Sequence, residues 1–189
     1  PAAGQLQSGT KYAKIAVHGP AYHKPVRNIT TEGYLMIRVL FICHGNICRS
    51  PMGEFILKSL VAKAGWTDRF TIASAAVSGE EIGHPVYPPA KRELARHGIS
   101  CAGKTAVQVC AADYDRYDYL LYMEQSNLPR LLQITGPDVA GKCRRLLDFT
   151  GRPGDIDDPW YTGDFTGVYR QLLAGCQAFL SQLEESHEL

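Results

Sequence analysis

At 189 residues, 45% hydrophobic and 21% charged, the chain reads as one soluble globular domain, without internal repeats or low-complexity tracts. Its 20 Lys and Arg balance 19 Asp and Glu, and residues 1–35 hold Lys11, Lys14, Lys24 and Arg27 against Glu32 alone, so the remaining body is mildly acidic and lacks the basic stripe that nucleic acid requires. No apolar run reaches the ~18 residues of a membrane span, and six cysteines without a secretory signal predict free thiols in a reducing cytoplasm rather than a disulfide framework.

In chain order, residues 1–35 start at Pro and show neither helical nor strand periodicity before Met36. They are expected to be an expression leader or an N-terminal extension outside the core, with a single domain over residues 36–189. From Met36 the pattern alternates. "MIRVLFI" is a nearly continuous apolar run of the kind a buried parallel strand shows, and "PMGEFILKSLVAKAG" carries a helical stripe through Met52, Phe55, Ile56, Leu60 and Val61 that Gly65 closes. "RFTIASAA" predicts a second strand and "PPAKRELARHG" a helix with Pro89 near its start and Gly98 at its stop. "YDYLLYM" and "SNLPRLLQI" repeat the pair, and "RRLLDF" predicts a fourth strand. A Gly/Pro/Asp-rich loop, "TGRPGDIDDPWYTG", then leads to a last helix capped by Asp164, its inner face formed by Phe165, Val168, Leu172, Cys176, Phe179 and Leu183. Strands separated by helices imply an α/β fold, a parallel sheet covered by helices on both faces, with any ligand beyond the carboxyl ends of the strands.

The stretch "CHGNICRS" falls at such an end. A cysteine between a strand and a helix start meets inward-pointing backbone N–H groups and the positive end of a helix dipole, which favour the thiolate of Cys43 and cradle an oxyanion such as phosphate. Arg49 adds a planar fork able to grip two phosphate oxygens at once. Gly45 and Asn46 tolerate the left-handed backbone of a tight nest, Ser50 is a candidate helix cap, and Pro51 suits the first helical position. A lone cysteine would read as a turn with a buried thiol; Cys43 and Arg49 with Gly, Asn, Ser and Pro at these offsets read as a nucleophile inside a phosphate cradle. Zinc is not expected, for no second Cys/His pair stands at ligand spacing, and neither G-x-G-x-x-G nor G-x-x-x-x-G-K-[ST] occurs.

A thiolate attacking phosphorus needs a proton donor for the departing oxygen, and "DIDDPWY" supplies carboxyls. The proline after Asp158 restricts its backbone to extended conformations, and Trp160 and Tyr161 offer apolar walls that can stack on an aromatic leaving group. Asp155 and Asp157 compete for the role, and spacing alone does not choose among the three.

At "VLFICHGNICRSPM" and "DDPWY" the chain resembles the low-molecular-weight protein tyrosine phosphatases, over essentially all of residues 36–189. The resemblance implies a three-layer α/β/α fold of the phosphotyrosine protein phosphatase I type, with a four-stranded parallel sheet in the order 2-1-3-4. It implies hydrolysis of phosphotyrosine on proteins through a phosphocysteine, without metal or cofactor. Cys43 would be the nucleophile, and Arg49 with the loop His44, Gly45, Asn46, Ile47, Cys48 and Ser50 would hold the phosphate. Asp158 would protonate the leaving phenol and then activate water, and Ser50 would ease departure of the thiolate. Ser74 would support Asn46, and Cys48 would be the redox partner that protects Cys43 by forming a disulfide. Further matches are "SAAVSG", "MEQSNL" and the last helix. Tyrosine-phosphorylated proteins would be the substrates, and a monomer is expected.

This chain departs from the family pattern in several places. Lys104 stands where the family commonly has His, Gly53 stands where a helix former is usual, and Glu80 occupies a cleft-wall position often filled by an aromatic. Glu80, with Glu81 and Asp155, is expected to favour substrates with basic flanks. His44 beside the nucleophile is unusual and reads as an exposed, inert ring. Three alternatives stand beside the phosphatase reading. Arsenate reductases of this fold relay through further cysteines after the third strand, where "MEQSNLPRLL" has none. Protein-arginine phosphatases tend to carry Thr at the position of Ile47. A silent phosphate-binding module would need no general acid.

Overall fold

The computed structural model describes residues 35–189, so the expectation of a leader or extension falls, apart from Leu35, outside the described residues. In chain order the elements are β1 (Ile37–Cys43), α1 (Arg49–Lys63), a 3₁₀ turn at Thr67–Arg69, β2 (Phe70–Ala76), α2 (Pro88–Arg96) and α3 (Asp113–Arg116). There follow β3 (Tyr119–Tyr122), α4 (Asn127–Thr135), β4 (Cys143–Arg145), a 3₁₀ turn at Leu146–Phe149, α5 (Pro159–Thr162) and α6 (Phe165–Glu185). The four strands form one sheet in the order β2-β1-β3-β4, and every pairing is parallel.

Period-two alternation explains why β1 reads as one unbroken apolar run. Val39, Phe41 and Cys43 join a core with Met52 and Ile56 of α1, Ala90 and Leu94 of α2, and Leu172 and Phe179 of α6; Leu40 and Ile42 join a second core with Tyr114 of α3 and Leu131 of α4. Both faces of the strand are therefore dry, which gives the three layers. Each large side chain buried this way contributes about 2 kcal/mol. β1 is followed in the sheet by β2 on one side and β3 on the other, so the chain reverses its winding at β1, and the crevice of an open α/β sheet opens at that point. The register places Cys43 opposite Ala76 and Ile42 opposite Tyr122, so the carboxyl ends of these strands share one edge.

Two local expectations are corrected. The fourth strand is only Cys143–Arg145, and Leu146–Phe149 is a 3₁₀ turn. Leu146 and Leu147 are both buried in the same core; consecutive strand residues point to opposite faces, so burying both on one side requires the chain to leave the strand. Helix α1 starts at Arg49, so Pro51 is its third residue, and Ser50 makes no capping bond. The hydroxyl of Ser50 is instead drawn into the site. The cap of α6 is as expected: Asp164 accepts a hydrogen bond from the N–H of Gly167 at 2.7 Å. Among the described residues no helix is long and apolar enough to cross a membrane.

Candidate active site

The turn between β1 and α1 folds over the carboxyl edge of the sheet. Asn46 takes the left-handed conformation, with φ +57°; Gly45 does not, contrary to expectation, and its value is steric, because a Cβ there would approach Cγ of Glu81 to 3.1 Å. The left-handed residue turns its own N–H toward the sulfur of Cys43, at 3.3 Å, and the Oγ of Ser50 lies 3.0 Å from the same sulfur. The amide of Asn46, fully buried, donates to Ser50 Oγ and Ser74 Oγ at 2.8 Å each, while its Oδ1 accepts from the N–H of Val107 at 3.1 Å. Ser74, in β2, thus meets the side chain of Asn46 directly.

Arg49 opens α1 with its guanidinium nearly buried. Its Nη1 donates to the carbonyl of Ile156 at 3.3 Å, and its Nη2 to Glu124 Oε1 at 2.9 Å and Asp158 Oδ2 at 2.6 Å. Burial works against its charge, but the neighbouring Cys43, Glu124 and Asp158 outweigh burial and raise its pKa. Cys48 is affected differently: burial, and next the adjacent Cys43, push its thiol up to about 12. Cys48 is therefore a neutral thiol at ordinary pH.

The geometry separates the three acid candidates. Asp155 accepts from Arg145 Nη1 at 2.7 Å and from the N–H of Gln125 at 3.0 Å. Asp157 is clamped twice to Gln171 of α6, its N–H donating to Oε1 at 3.1 Å and its Oδ2 accepting from Nε2 at 2.8 Å. Those two bonds and the Arg145 pair hold the ends of the loop, leaving Asp158 directed at Arg49. Asp158 has the extended backbone its proline neighbour imposes, and its Oδ1 caps α5 by accepting from the N–H of Trp160 at 3.0 Å.

Cys43, Arg49 and Asp158 line one cleft of about 520 Å³, together with Ile47, Trp160 and Tyr161. Trp160 rests on Tyr87, ring centroids 5.2 Å apart, and the N–H of Tyr87 donates to the carbonyl of Ile47 at 2.9 Å, so one residue ties the aromatic wall to the phosphate cradle. The rim is acidic. Glu80 meets His44 Nε2 at 2.9 Å and Glu81 meets His84 Nδ1 at 2.7 Å, so His44 is exposed but has a carboxylate partner, which the sequence reading did not assign. The His44 ring lowers the pKa of Glu80 through that hydrogen bond.

The sequence reading missed Glu124, which stands two residues beyond β3 and so lies at the carboxyl edge, where a polar residue is already suspect. It also missed Glu54 and Tyr87: Glu54 pairs locally with Lys58, but its bond from Ser74 and the contacts of Tyr87 with Ile47 and Trp160 lie far away in sequence. Lys104 donates to the carbonyl of Ser74 at 2.9 Å and stands 3.6 Å from Glu54.

A thiol at the sheet edge, an arginine fork and a carboxylate across one cleft are the groups that hydrolysis of a phosphoric monoester can use. The family model described as low molecular weight phosphotyrosine protein phosphatase matches residues 38–189, and the chain belongs to that family, an enzyme family of hydrolases. A low molecular weight protein-tyrosine-phosphatase of Bacillus subtilis, YfkJ, is 38% identical over 156 residues, covering 82% of this chain and all of the relative. Its crystal structure superposes with a TM-score of 0.77 over 80% of this chain and 96% of that chain. The low molecular weight phosphotyrosine protein phosphatase of Sus scrofa is 39% identical, covering 77% of this chain and 94% of the relative. The structure of a Drosophila arginine phosphatase has a TM-score of 0.70 at 31% identity, covering 77% of this chain and 97% of that one.

Proposed function

We propose that this chain hydrolyses phosphotyrosine on proteins through a phosphocysteine, with Cys43 as nucleophile. The observation that carries this reading is the sulfur of Cys43 held by the Asn46 N–H and beside Ser50 Oγ, in the same cleft as Arg49 and Asp158. In the first step a lone pair of the thiolate forms the S–P bond as the P–O bond to the phenol breaks. Asp158, protonated, gives its proton to the departing phenolate, and Arg49 with the loop amides holds the equatorial oxygens. In the second step the Asp158 carboxylate takes a proton from water, the hydroxyl attacks phosphorus, and the S–P bond breaks to return the thiolate, which the Ser50 hydroxyl stabilises.

Asp158 accepts from a guanidinium N–H that a phosphate oxygen would claim. Phosphate binding therefore displaces Asp158 from Arg49 toward the leaving group, while Glu124 keeps its own hold on the arginine. The aromatic wall and the apolar Ile47 suit an aryl ester. The arginine-phosphatase reading is weaker for the same reason, although a solved arginine phosphatase shares the fold. An arsenate relay finds no support in Cys143, whose thiol burial and Asp138 push up to about 12. With p-nitrophenyl phosphate, Cys43→Ser is expected to abolish turnover and Asp158→Ala to reduce kcat by roughly 10²–10³-fold. Phosphate binding without turnover by the unaltered protein would show a binding module instead, and preferential turnover of phosphoarginine would favour the alternative substrate.

A further inference from the structure

Behind the phosphate cradle a chain of hydrogen bonds runs from the surface to the nucleophile, and its far end is built from residues the reaction does not touch. Lys58 Nζ donates to Glu54 Oε1 at 2.5 Å; Ser74 Oγ donates to Glu54 Oε2 at 2.6 Å; Asn46 Nδ2 bridges Ser74 and Ser50; Ser50 lies against the sulfur. The direction of this chain is determined. The Val107 N–H occupies Asn46 Oδ1, so the amide nitrogen must face the two serines and can only donate. Each serine oxygen accepts from it, and each retains one proton to give outward. Ser74's goes to Glu54, and Ser50's is available to the sulfur 3.0 Å away, so the chain can end on an acceptor at each side, the Glu54 carboxyl at one and the Cys43 sulfur at the other.

Glu54 is only 4% exposed, and a carboxylate buried to that degree needs compensating charge. Lys58, on the same helix, is largely in solvent, whereas the Lys104 side chain is 13% exposed and lies 3.6 Å from Oε2. Lys104 also donates to the carbonyl of Ser74, and its own loop supplies Val107, so one segment sets both the charge and the amide orientation. We propose that Lys104 is a positioning residue for the nucleophile, holding the Glu54 carboxyl and Ser74 in place so that the chain ends with the Ser50 O–H directed at the sulfur of Cys43. An ammonium has no lone pair to accept with, so it cannot invert the chain's polarity. The remaining titratable groups that feel Glu54 are Cys101 and Tyr117; those that face the sulfur are Cys48 and Arg49, and Asp158 stands across the cleft. None of them is a cation beside the buried carboxylate, where Lys58 meets Oε1 and Lys104 stands at Oε2, the oxygen that Ser74 uses. Burial lowers the pKa of Lys104 and Glu54 works against that shift, as expected for a desolvated ion pair.

The inference rests on Cys43 being the nucleophile, and its test reads the thiolate without requiring turnover. The rate of iodoacetate modification of Cys43 is measured against pH for the unaltered protein and for Lys104→Met, with p-nitrophenyl phosphate kinetics alongside. Lys104→Met is expected to move the alkylation midpoint up by about 0.5–1 pH unit, since it removes the positive charge at Oε2, on the side of the sulfur, and leaves Glu54 with Lys58 alone. It is expected to lower kcat roughly tenfold with KM within about twofold. Lys104→Arg keeps both close to the unaltered values, and adding Glu54→Gln to Lys104→Met recovers most of the shift, because the amide oxygen still accepts from Ser74. Should the Met variant fold poorly, Lys104→Gln keeps a donor for the Ser74 carbonyl without the charge and is expected to show the same upward shift. An unchanged midpoint in the folded Met or Gln variant, or a shift that Glu54→Gln does not reduce, overturns the proposal. Alkylation of Cys43 without any hydrolysis by the unaltered protein would overturn the hydrolytic reading and not this one.

Discussion

Two thiols share the turn after β1, and their surroundings give them different chemistry. Cys43 has an N–H donor and a hydroxyl at its sulfur, whereas burial and the charge of Cys43 push Cys48 up to about 12. A thiol reacts as its thiolate, whose share near neutral pH is negligible for a group with so high a pKa. Iodoacetate at pH 7 is therefore expected to carboxymethylate Cys43 and spare Cys48, as peptide mapping would show; equal labelling of both would contradict the assignment. Once peroxide has converted Cys43 to its neutral sulfenic acid, one of the causes that raise Cys48 disappears, the largest after burial. A Cys43–Cys48 disulfide is then the expected product, and sulfinic acid at Cys43 with Cys48 untouched would rule out a protective role. At this scale the sequence was most legible where chemistry and spacing coincide, as in Cys43, Arg49 and the Asp158-Pro159 pair. Ser50 was misread as a cap because its type suits a cap; its actual partners, Asn46 and Cys43, are set by the left-handed turn at Asn46. Spacing alone left Asp155, Asp157 and Asp158 open and the resemblance named Asp158; that the other two are held by Arg145 and Gln171 has no local mark in the sequence.

Gly53 in the second turn of α1 shows how an element overrides propensity. Alanine there would gain about 1 kcal/mol of helix propensity. A Cβ, however, would come within 2.9 Å of Cδ1 of Phe41, a fully buried ring in β1 with no room to retreat. Overpacking of this kind costs about 1–3 kcal/mol, so after the propensity gain Gly53→Ala is expected to destabilise the fold by a net ~1 kcal/mol in chemical denaturation. A stabilised variant would show that α1 shifts outward freely. The helical stripes and the long β1 run were legible because their periodicity survives in isolation. β4 was overextended because "RRLLDF" has strand composition, while the packing of adjacent Leu146 and Leu147 into one core, beneath α6, is a tertiary demand.

Across the whole molecule, the parallel sheet collects Cys43 from the end of β1, Glu124 from just beyond β3 and the acid loop onto one edge, and the cleft they form is rimmed by acidic groups. Glu80, Glu81, Glu124 and Asp158 line it against Arg49 and His44. Phosphotyrosine peptides with Lys or Arg flanks are therefore expected to have a higher kcat/KM than those with Asp or Glu flanks, by several-fold at low salt and less as salt screens the rim. Glu80→Lys should narrow or reverse that preference, and an unchanged ranking would remove the rim from substrate choice. The order of layers followed from the alternation of elements, but the meeting of Glu54, Ser74 and Lys104 behind the cradle follows from register and loop packing, which only the folded chain displays. The most direct measurement of the central claim is mass spectrometry of Asp158→Ala protein quenched during turnover of p-nitrophenyl phosphate. One phosphoryl group on the peptide containing Cys43, absent from the Cys43→Ser protein, is the predicted result. Continued turnover with no phosphorylated cysteine, or with the phosphoryl group on another residue, would contradict it.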